Sequence, residues 1–476
     1  MRDVFLIGVD MMKFGKYFDQ SIKQMTAQVI EGVFKDAGIS KDQIDAAWFS
    51  NSGWGRLAGQ DAIRGEIALR PLGIERIPIT NVENACAGGS TALNSAYMAV
   101  AGGFFDVALA VGVEKIYHPD KLKMYAGYLA GMDVENISRT LDFFKKYEAM
   151  ISIRADQWPE EYAARAPRKK SKSFVDDPLG WLAGLPARAK AGVKSGVNMF
   201  ENAVIFSSLF GKENFRALVK GGLAQSHSPF MDLYSLAARA HMDQYGTTQR
   251  QLAVVSAKNH FHSSLNPKAQ YTRDMTVEQV LMDARVSFPL TRAMCAPVGD
   301  GAAAAIICAG DQLEKFGRWR AVRIRASVLG SGRDRGIEDE DIAVRLAEQA
   351  YRQAGVGPKD IDVAELHDAS AFGELHHTET LGFCGEGEGG RFADSGATKL
   401  GGSIPINTSG GLESRGHPVG ATGLAQVYEL VTQLRGEAGP RQVEGARIAL
   451  AQNGGGNIGL EEAAMCLHIL EAPAKQ

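Results

Sequence analysis

The first apolar run of the chain, VFLIGVD from Val4, has the length of a strand, and EGVFKDAGISKDQIDAAWFS, ending at Ser50, reads as an amphipathic helix closed by Gly38 and followed by a short strand. The same pattern returns in EQAYRQAGVGPKDIDVAELH, ending at His367, so that Gly38 pairs with Gly355 and Asp45 with Asp362 at an offset of 317. Ile77-Pro78-Ile79 echoes Ile404-Pro405-Ile406 at an offset of 327, and TALNSAYMAV from Thr91 echoes TGLAQVYELV from Thr422 at 331. The apolar run from Val107 to Ala110 matches the one from Ile448 to Ala451 at 341. Four matches in one order, with offsets that grow slowly as loops lengthen, describe a duplicated β/α unit.

Between about Tyr117 and Gln249 nothing has a partner in the second half; this stretch mixes helical periodicity with a basic run from Arg165 to Lys172 and reads as an insert. After it, QLAVVSAKNHF predicts a helix, and Val298 to Gly310 predicts a turn entering a buried strand that completes the first copy. RAVRIRASVLGSG opens the second copy as VFLIGVD opened the first. The expected organisation is an N-terminal half of residues 1–116 and 250–312, an inserted domain of 117–249, and a C-terminal half of 318–476. No low-complexity linker separates the halves, which predicts that they pack as one body.

Composition narrows the function. The 476 residues carry 52 Lys+Arg against 55 Asp+Glu, so charge makes no case for nucleic acid as a partner. No apolar run reaches the ~18 to 20 residues of a membrane span, and the N-terminus lacks a signal-peptide pattern, so a cytoplasmic protein is expected. The five cysteines are scattered without a CxxC pair, which argues against disulfides and against a zinc site. Glycine is abundant, with 54 residues, and places weight on tight turns.

Four such turns carry candidate chemistry. Cys86, in Asn84-Ala-Cys86-Ala-Gly88-Gly89, lies between a predicted strand and the helix from Ser90, where the helix dipole and unpaired N–H groups are expected to stabilise a thiolate. The alternative is a buried structural cysteine. His417, held between Gly416 and Pro418, precedes the second copy of the helix that Cys86 precedes, so the two loops can face each other as nucleophile and base. His367-Asp368 ends a strand at the carboxyl edge, where open α/β sheets place ligands. The glycines of Gln452-Asn453-Gly454-Gly455-Gly456 follow a buried strand and offer bare N–H groups to an oxyanion.

Together, in this order on a duplicated frame, these motifs resemble the thiolases, and among them the branch related to the sterol-carrier-protein-2 thiolases. The resemblance includes the NxCxxGxxA region around Cys86, Asn266-Pro267, Pro289-Leu290 leading to Asp300-Gly301, and the HD, GHP and closing glycine motifs. It implies an α/β thiolase fold, two βαβαβαββ halves forming a five-layered αβαβα core, with the insert covering the active site. It implies Cys86 as the nucleophile that forms a thioester and His417 as its activator. His367 would share a first oxyanion site with His417, and Gly454 a second one with the Cys86 N–H. Coenzyme A is implied as co-substrate, with no bound cofactor and no metal, and Arg168, Lys169 and Lys170 as candidates for its phosphates. A homodimer is implied, and some relatives work with a small zinc-ribbon/OB-fold partner.

This chain departs from the family at the proton shuttle. The cysteine that usually precedes the glycine loop is Gln452, and the one that follows the HD pair in the sterol-carrier branch is Ala369. Cys384, Glu374, His376 and His377 are the substitutes offered nearby, and a solvated helix face is the duller account of the last three. Cys295 reads as a pocket residue, Cys308 and Cys466 as structural. The expected activity is cleavage of a β-ketoacyl-CoA, on a bulky aromatic, branched or steroid-like acyl group such as a benzoylsuccinyl-CoA-like ester. The alternatives are a retro-aldolase acting on a β-hydroxyacyl-CoA and a non-catalytic acyl-CoA-binding subunit.

Overall fold

The structure, a computed structural model, describes residues 1–118, 124, 128, 130–159, 228–336 and 339–473. The first half contains β1 (Val4–Met11), α1 (Ile22–Ala37), β2 (Ala46–Ser50), β3 (Ile79–Val82), α2 (Gly88–Ala101) and β4 (Val107–Glu114). Helices α3 (Ile137–Met150) and α4 (Pro229–Tyr245) follow, then α5 (Gln249–Ser264) and β5 (Gly301–Ala309). The second half contains β6 (Val322–Ser331), α6 (Ile342–Ala354), β7 (Val363–Glu365), α7 (Ala371–Thr380), α8 (Thr422–Leu434), β8 (Ile448–Gly455) and β9 (Ala464–Glu471).

The repeat read from the sequence is written into the sheet. Strands of the first half lie in the order β3-β2-β4-β5-β1, with β3, β2 and β4 parallel and β5 antiparallel to both β4 and β1. In the second half β7 is parallel to β8, β9 antiparallel to β8 and β6, and residue Ile406 bridges Ala364 in parallel, taking the place of β3. A short antiparallel pairing, Phe5 with Arg323 and Leu6 with Val322, joins the halves edge to edge.

Local chemistry sets the helix ends in both copies, by different N-caps and the same closing glycine. Ser21 caps α1 through the Gln24 N–H and Asp341 caps α6 through the Ala343 N–H, while Gly38 and Gly355 end them at φ 68° and 66°, a region costly for a residue with a Cβ. Helix α1 packs on one face of the first half-sheet through Met25, Val29 and Val33, and α6 on one face of the second through Leu346, Ala347 and Ala350. Between the half-sheets lie α2 and α8, whose Leu93, Tyr97, Leu424, Leu430 and Val431 share one core with both. This gives five layers in the order helix, sheet, helices, sheet, helix. The central layer is tight: a Cβ on Gly423 would lie 2.1 Å from Ser90 Oγ, and one on Gly89 would lie 3.0 Å from the Gly420 carbonyl. These glycines let the two helix starts, and the loops that precede them, approach backbone to backbone.

Candidate active site

Cys86 sits in a 3₁₀ turn, Ala85–Ala87, between β3 and α2. Ala85 has φ 47°, a strained value for a residue with a side chain, which turns the chain sharply where Cys86 meets the cavity. The glycine loop after β8 lies directly against this turn: a Cβ on Gly455 would be 2.2 Å from the Asn84 carbonyl. From the other half, the His417 Nε2 lies 3.2 Å from the Cys86 sulfur. The imidazole and thiol that sequence reasoning paired across the pseudo-repeat therefore meet, and with His367 their ligand atoms fall within 4.8 Å of one another.

The hydrogen-bond network decides what each imidazole can do. Thr422 Oγ donates to the Pro418 carbonyl at 3.0 Å, so at 2.7 Å from His417 Nδ1 it accepts the Nδ1 proton. That leaves the His417 Nε2 lone pair aimed at the thiol, the tautomer a base requires. His367 is set the opposite way: the Asn453 side-chain amide donates to its Nδ1 at 2.9 Å, so the proton is on Nε2. The two rings stand edge to face with centroids 5.3 Å apart. One imidazole presents a lone pair and the other an N–H donor, which is the division of labour for a base beside an oxyanion site.

The charge state differs from the sequence expectation. Burial, with Glu83 and Glu114 nearby, pushes the Cys86 thiol up to about 12, although N–H groups of Gly456 and of Cys86 itself pull the other way. Burial and then Arg415 push His417 down to about 3. The helix start does not outweigh desolvation, and at neutral pH the pair is a thiol and a neutral imidazole rather than an ion pair. His367 is also pushed down, by burial first and then by His417, His377 and Arg415.

A cavity of about 1010 Å³ opens onto these residues. Cys86, His367, His417, Ala369 and Gly454 line it, as does Cys295, whose thiol donates to the Thr291 carbonyl at 3.3 Å. Gly456, beside Gly454, turns its N–H toward the sulfur. Aromatic and methionine side chains, including Phe230, Met231 and Tyr234 of α4, form one wall, and Lys16, Arg273, Arg285 and Arg292 also border it. Arg168, Lys169 and Lys170 fall outside the described residues.

The substitutes offered for the missing cysteine divide. Gln452 is fully buried and accepts the His367 backbone N–H at 2.8 Å, so it clamps the loop that carries His367 rather than facing the cavity. Glu374 is buried in an ion pair with Lys258 at 2.7 Å, and His376 pairs with Asp341 at 3.2 Å. Cys384 lies past α7, and it does not border the cavity. His377 is buried behind the wall, 3.5 Å from Glu462, and Glu462 does border the cavity. Sequence reasoning passed over Glu462, Tyr234 and Glu413; for Glu462 the available signal was a pair of acidic residues, Glu461-Glu462, between the glycine loop and the last apolar strand.

A duplicated α/β frame sets a cysteine and a histidine at equivalent helix starts, an arrangement suited to acyl transfer. Comparison with known sequences agrees: the family described as thiolase, N-terminal domain matches residues 4–171, and that described as thiolase C-terminal domain-like matches residues 337–468. An acetyl-CoA acetyltransferase of Methanothermobacter thermautotrophicus is 35% identical over 96% of this chain and 98% of its own length. Human sterol carrier protein 2 is 32% identical over 95% of this chain and 70% of its own. Among solved structures, the Ltp2-ChsH2(DUF35) aldolase superposes with a TM-score of 0.68 at 20% identity, covering 100% of this chain and 99% of that one. Human mitochondrial 3-ketoacyl-CoA thiolase in complex with CoA gives 0.58 at 15%, covering 99% and 98%. The chain belongs to the thiolase family and is an acyltransferase of that class.

Proposed function

We propose that the protein cleaves a β-ketoacyl-CoA with coenzyme A through a thioester on Cys86. The observation that carries this reading is the 3.2 Å approach of His417 Nε2, with its lone pair free, to the Cys86 thiol at the cavity wall. As the sulfur attacks the keto carbon, His417 takes its proton; a neutral pair suits this, because the charges form only as the bond forms. The oxyanion from the attack is received by N–H groups at the Cys86 turn, its own and one from the 454–456 loop, Gly454 being the expected donor and Gly456 the one turned toward the sulfur. The thioester carbonyl is received by His367 Nε2–H together with His417.

Support for a bulky acyl group comes from the size of the cavity and its wall of Phe230, Met231 and Tyr234. Arg273 and Arg285 at the cavity are the described cations suited to the phosphates of coenzyme A. A second reading, a retro-aldolase working without a thioester, is favoured by the absence of a cysteine at either usual shuttle position and by fold similarity to the Ltp2-ChsH2(DUF35) aldolase. A small partner subunit and a homodimer belong to the same proposal. Intact-mass measurement after incubation with aliphatic, aromatic and steroid acyl-CoA thioesters tests it: wild type should gain one acyl mass and Cys86→Ala none. Cleavage of a β-hydroxyacyl-CoA that survives in Cys86→Ala would instead establish the aldolase.

A further inference from the structure

The thiolase reading leaves one chemical task without a residue. When the carbon–carbon bond breaks, its electron pair passes to the α-carbon of the departing CoA ester, and that carbon needs a proton. Neither Gln452 nor Ala369 can supply one. Among the described residues, Glu462 is a carboxyl group at the cavity beside the glycine loop. Its position over that loop is specific: a Cβ on Gly454 would lie 2.7 Å from Glu462 Cγ, so the side chain lies against the bare glycine surface. The neighbouring Glu461 is occupied differently, accepting the Ile342 N–H at 2.8 Å and pairing with Arg335 at 3.2 Å.

Behind Glu462 stands a buried imidazole with an unusual set of neighbours. Gln452 Oε1 is committed to the His367 N–H, so its amide nitrogen is the group 3.3 Å from His377 Nε2, and it donates there. Glu462 Oε1 lies 3.5 Å from the same nitrogen. His377 Nδ1 is buried and has no hydrogen-bond partner among the described residues. Glu462 and His377 also border a second pocket of about 570 Å³ on the far side of the wall, so the pair spans two cavities.

Resting on the thiolase reading, we propose that Glu462 is the acid and base acting at the α-carbon, with His377 as the residue that positions it. The balance closes. Cys86 gives its proton to His417 and bonds to the keto carbon; the carbon–carbon bond breaks, and the α-carbon takes the proton of the Glu462 carboxylic acid. The Glu462 carboxylate then takes the thiol proton of coenzyme A as that sulfur attacks the thioester. The Cys86 sulfur leaves and recovers its proton from His417. The clamp formed by Gln452 in the usual cysteine position is what fixes this alternative shuttle.

The test follows α-proton exchange of a bound acyl-CoA in D₂O by NMR, together with cleavage of a β-ketoacyl-CoA, in wild type, Glu462→Gln, Glu462→Asp and His377→Asn. Glu462→Gln should lose exchange and cleavage by about a hundredfold to ten-thousandfold, the range for removing a general acid or base. Its melting temperature and its Cys86 alkylation rate should stay near wild type, and Glu462→Asp should recover part of the loss. His377→Asn should displace the pH profile of cleavage, a change that a packing role alone would not produce. Exchange and cleavage by Glu462→Gln within threefold of wild type would overturn the assignment while leaving the thiolase reading intact. A wild-type protein that forms no Cys86 thioester would instead remove that reading, and this assignment with it.

Discussion

Cys86 and His417 are poised as a neutral pair, and their reactivity should show it. With the thiol pushed up to about 12 and the imidazole down to about 3, the thiolate fraction rises with pH throughout the accessible range. Alkylation of Cys86 by iodoacetamide should therefore accelerate about tenfold per pH unit from pH 7 to 10. A plateau between pH 5 and 8 would mean a preformed thiolate–imidazolium pair and would contradict the desolvation argument. Both residues were legible in the sequence because glycine and proline fix their turns and the repeat places them at matching helix starts. The direction of the Cys86 shift was not legible, since it depends on how much water and how many carboxylates, Glu83 and Glu114 among them, the folded site keeps nearby. Glu462 was hidden for a related reason: only the return of the chain from β8 to β9 lays it over Gly454.

At the scale of elements, the pairing of α2 with α8 brings the two chemical loops together, and it rests on small residues. In Gly423→Ala the new methyl group would stand 2.1 Å from Ser90 Oγ and 2.5 Å from the Ser90 backbone nitrogen, with Asn453 Oδ1 also at 2.5 Å. Backbone must move, so the variant should lose about 1–3 kcal/mol in urea unfolding, the usual cost of overpacking. Because Asn453 orients His367, and Ser90 lies just after the Cys86 turn, acyl loading should fall as well. Gly357→Ala is the comparison: its nearest neighbour would be 3.8 Å away, and its φ of −119° is open to any residue, so its stability should match wild type. A Gly423→Ala protein with unchanged stability and loading would refute the close-approach argument. Helices, strands and their order could be read from periodicity and repeat offsets, since both copies close the matching helix with a glycine. The contact between α2 and α8 could not, because glycine at a helix start has several possible causes and only the packed layers select among them.

For the whole molecule, burial of titrating groups in both halves sets how stability depends on pH. His262 and His417 are pushed down to about 3 and His468 to about 4, each chiefly by burial. Their folded values lie below the unfolded value of 6.5, so their contribution is complete above pH 6.5 and is lost as pH falls toward 3 to 4. Glu114 and Glu365 act in the opposite sense. Burial raises both from 4.5 to about 7, outweighing the backbone donors at Glu114 and the Arg415 ion pair at Glu365, so the fold holds protons that the unfolded chain has released. Their contribution is complete below pH 4.5 and is lost as pH rises toward 7. Asp368 and Glu413, also raised by burial, add to this second group. Between pH 7 and 5 the two groups oppose each other, and the free energy of unfolding should change little. Below pH 4.5 the carboxyl contribution is constant and the histidines stand alone, while Asp36 and Glu379, held low by Arg435 and His241, begin to cost stability too. The slope there should exceed about 4 kcal/mol per pH unit, since His262, His417 and His468 each contribute a proton at about 1.4 kcal/mol and His260 and His367, also lowered by burial, add to them. Urea unfolding at pH 7, 5.5, 4.5 and 4 measures both regions, and a steepest loss between pH 7 and 5.5 would show that the carboxylates do not offset the histidines.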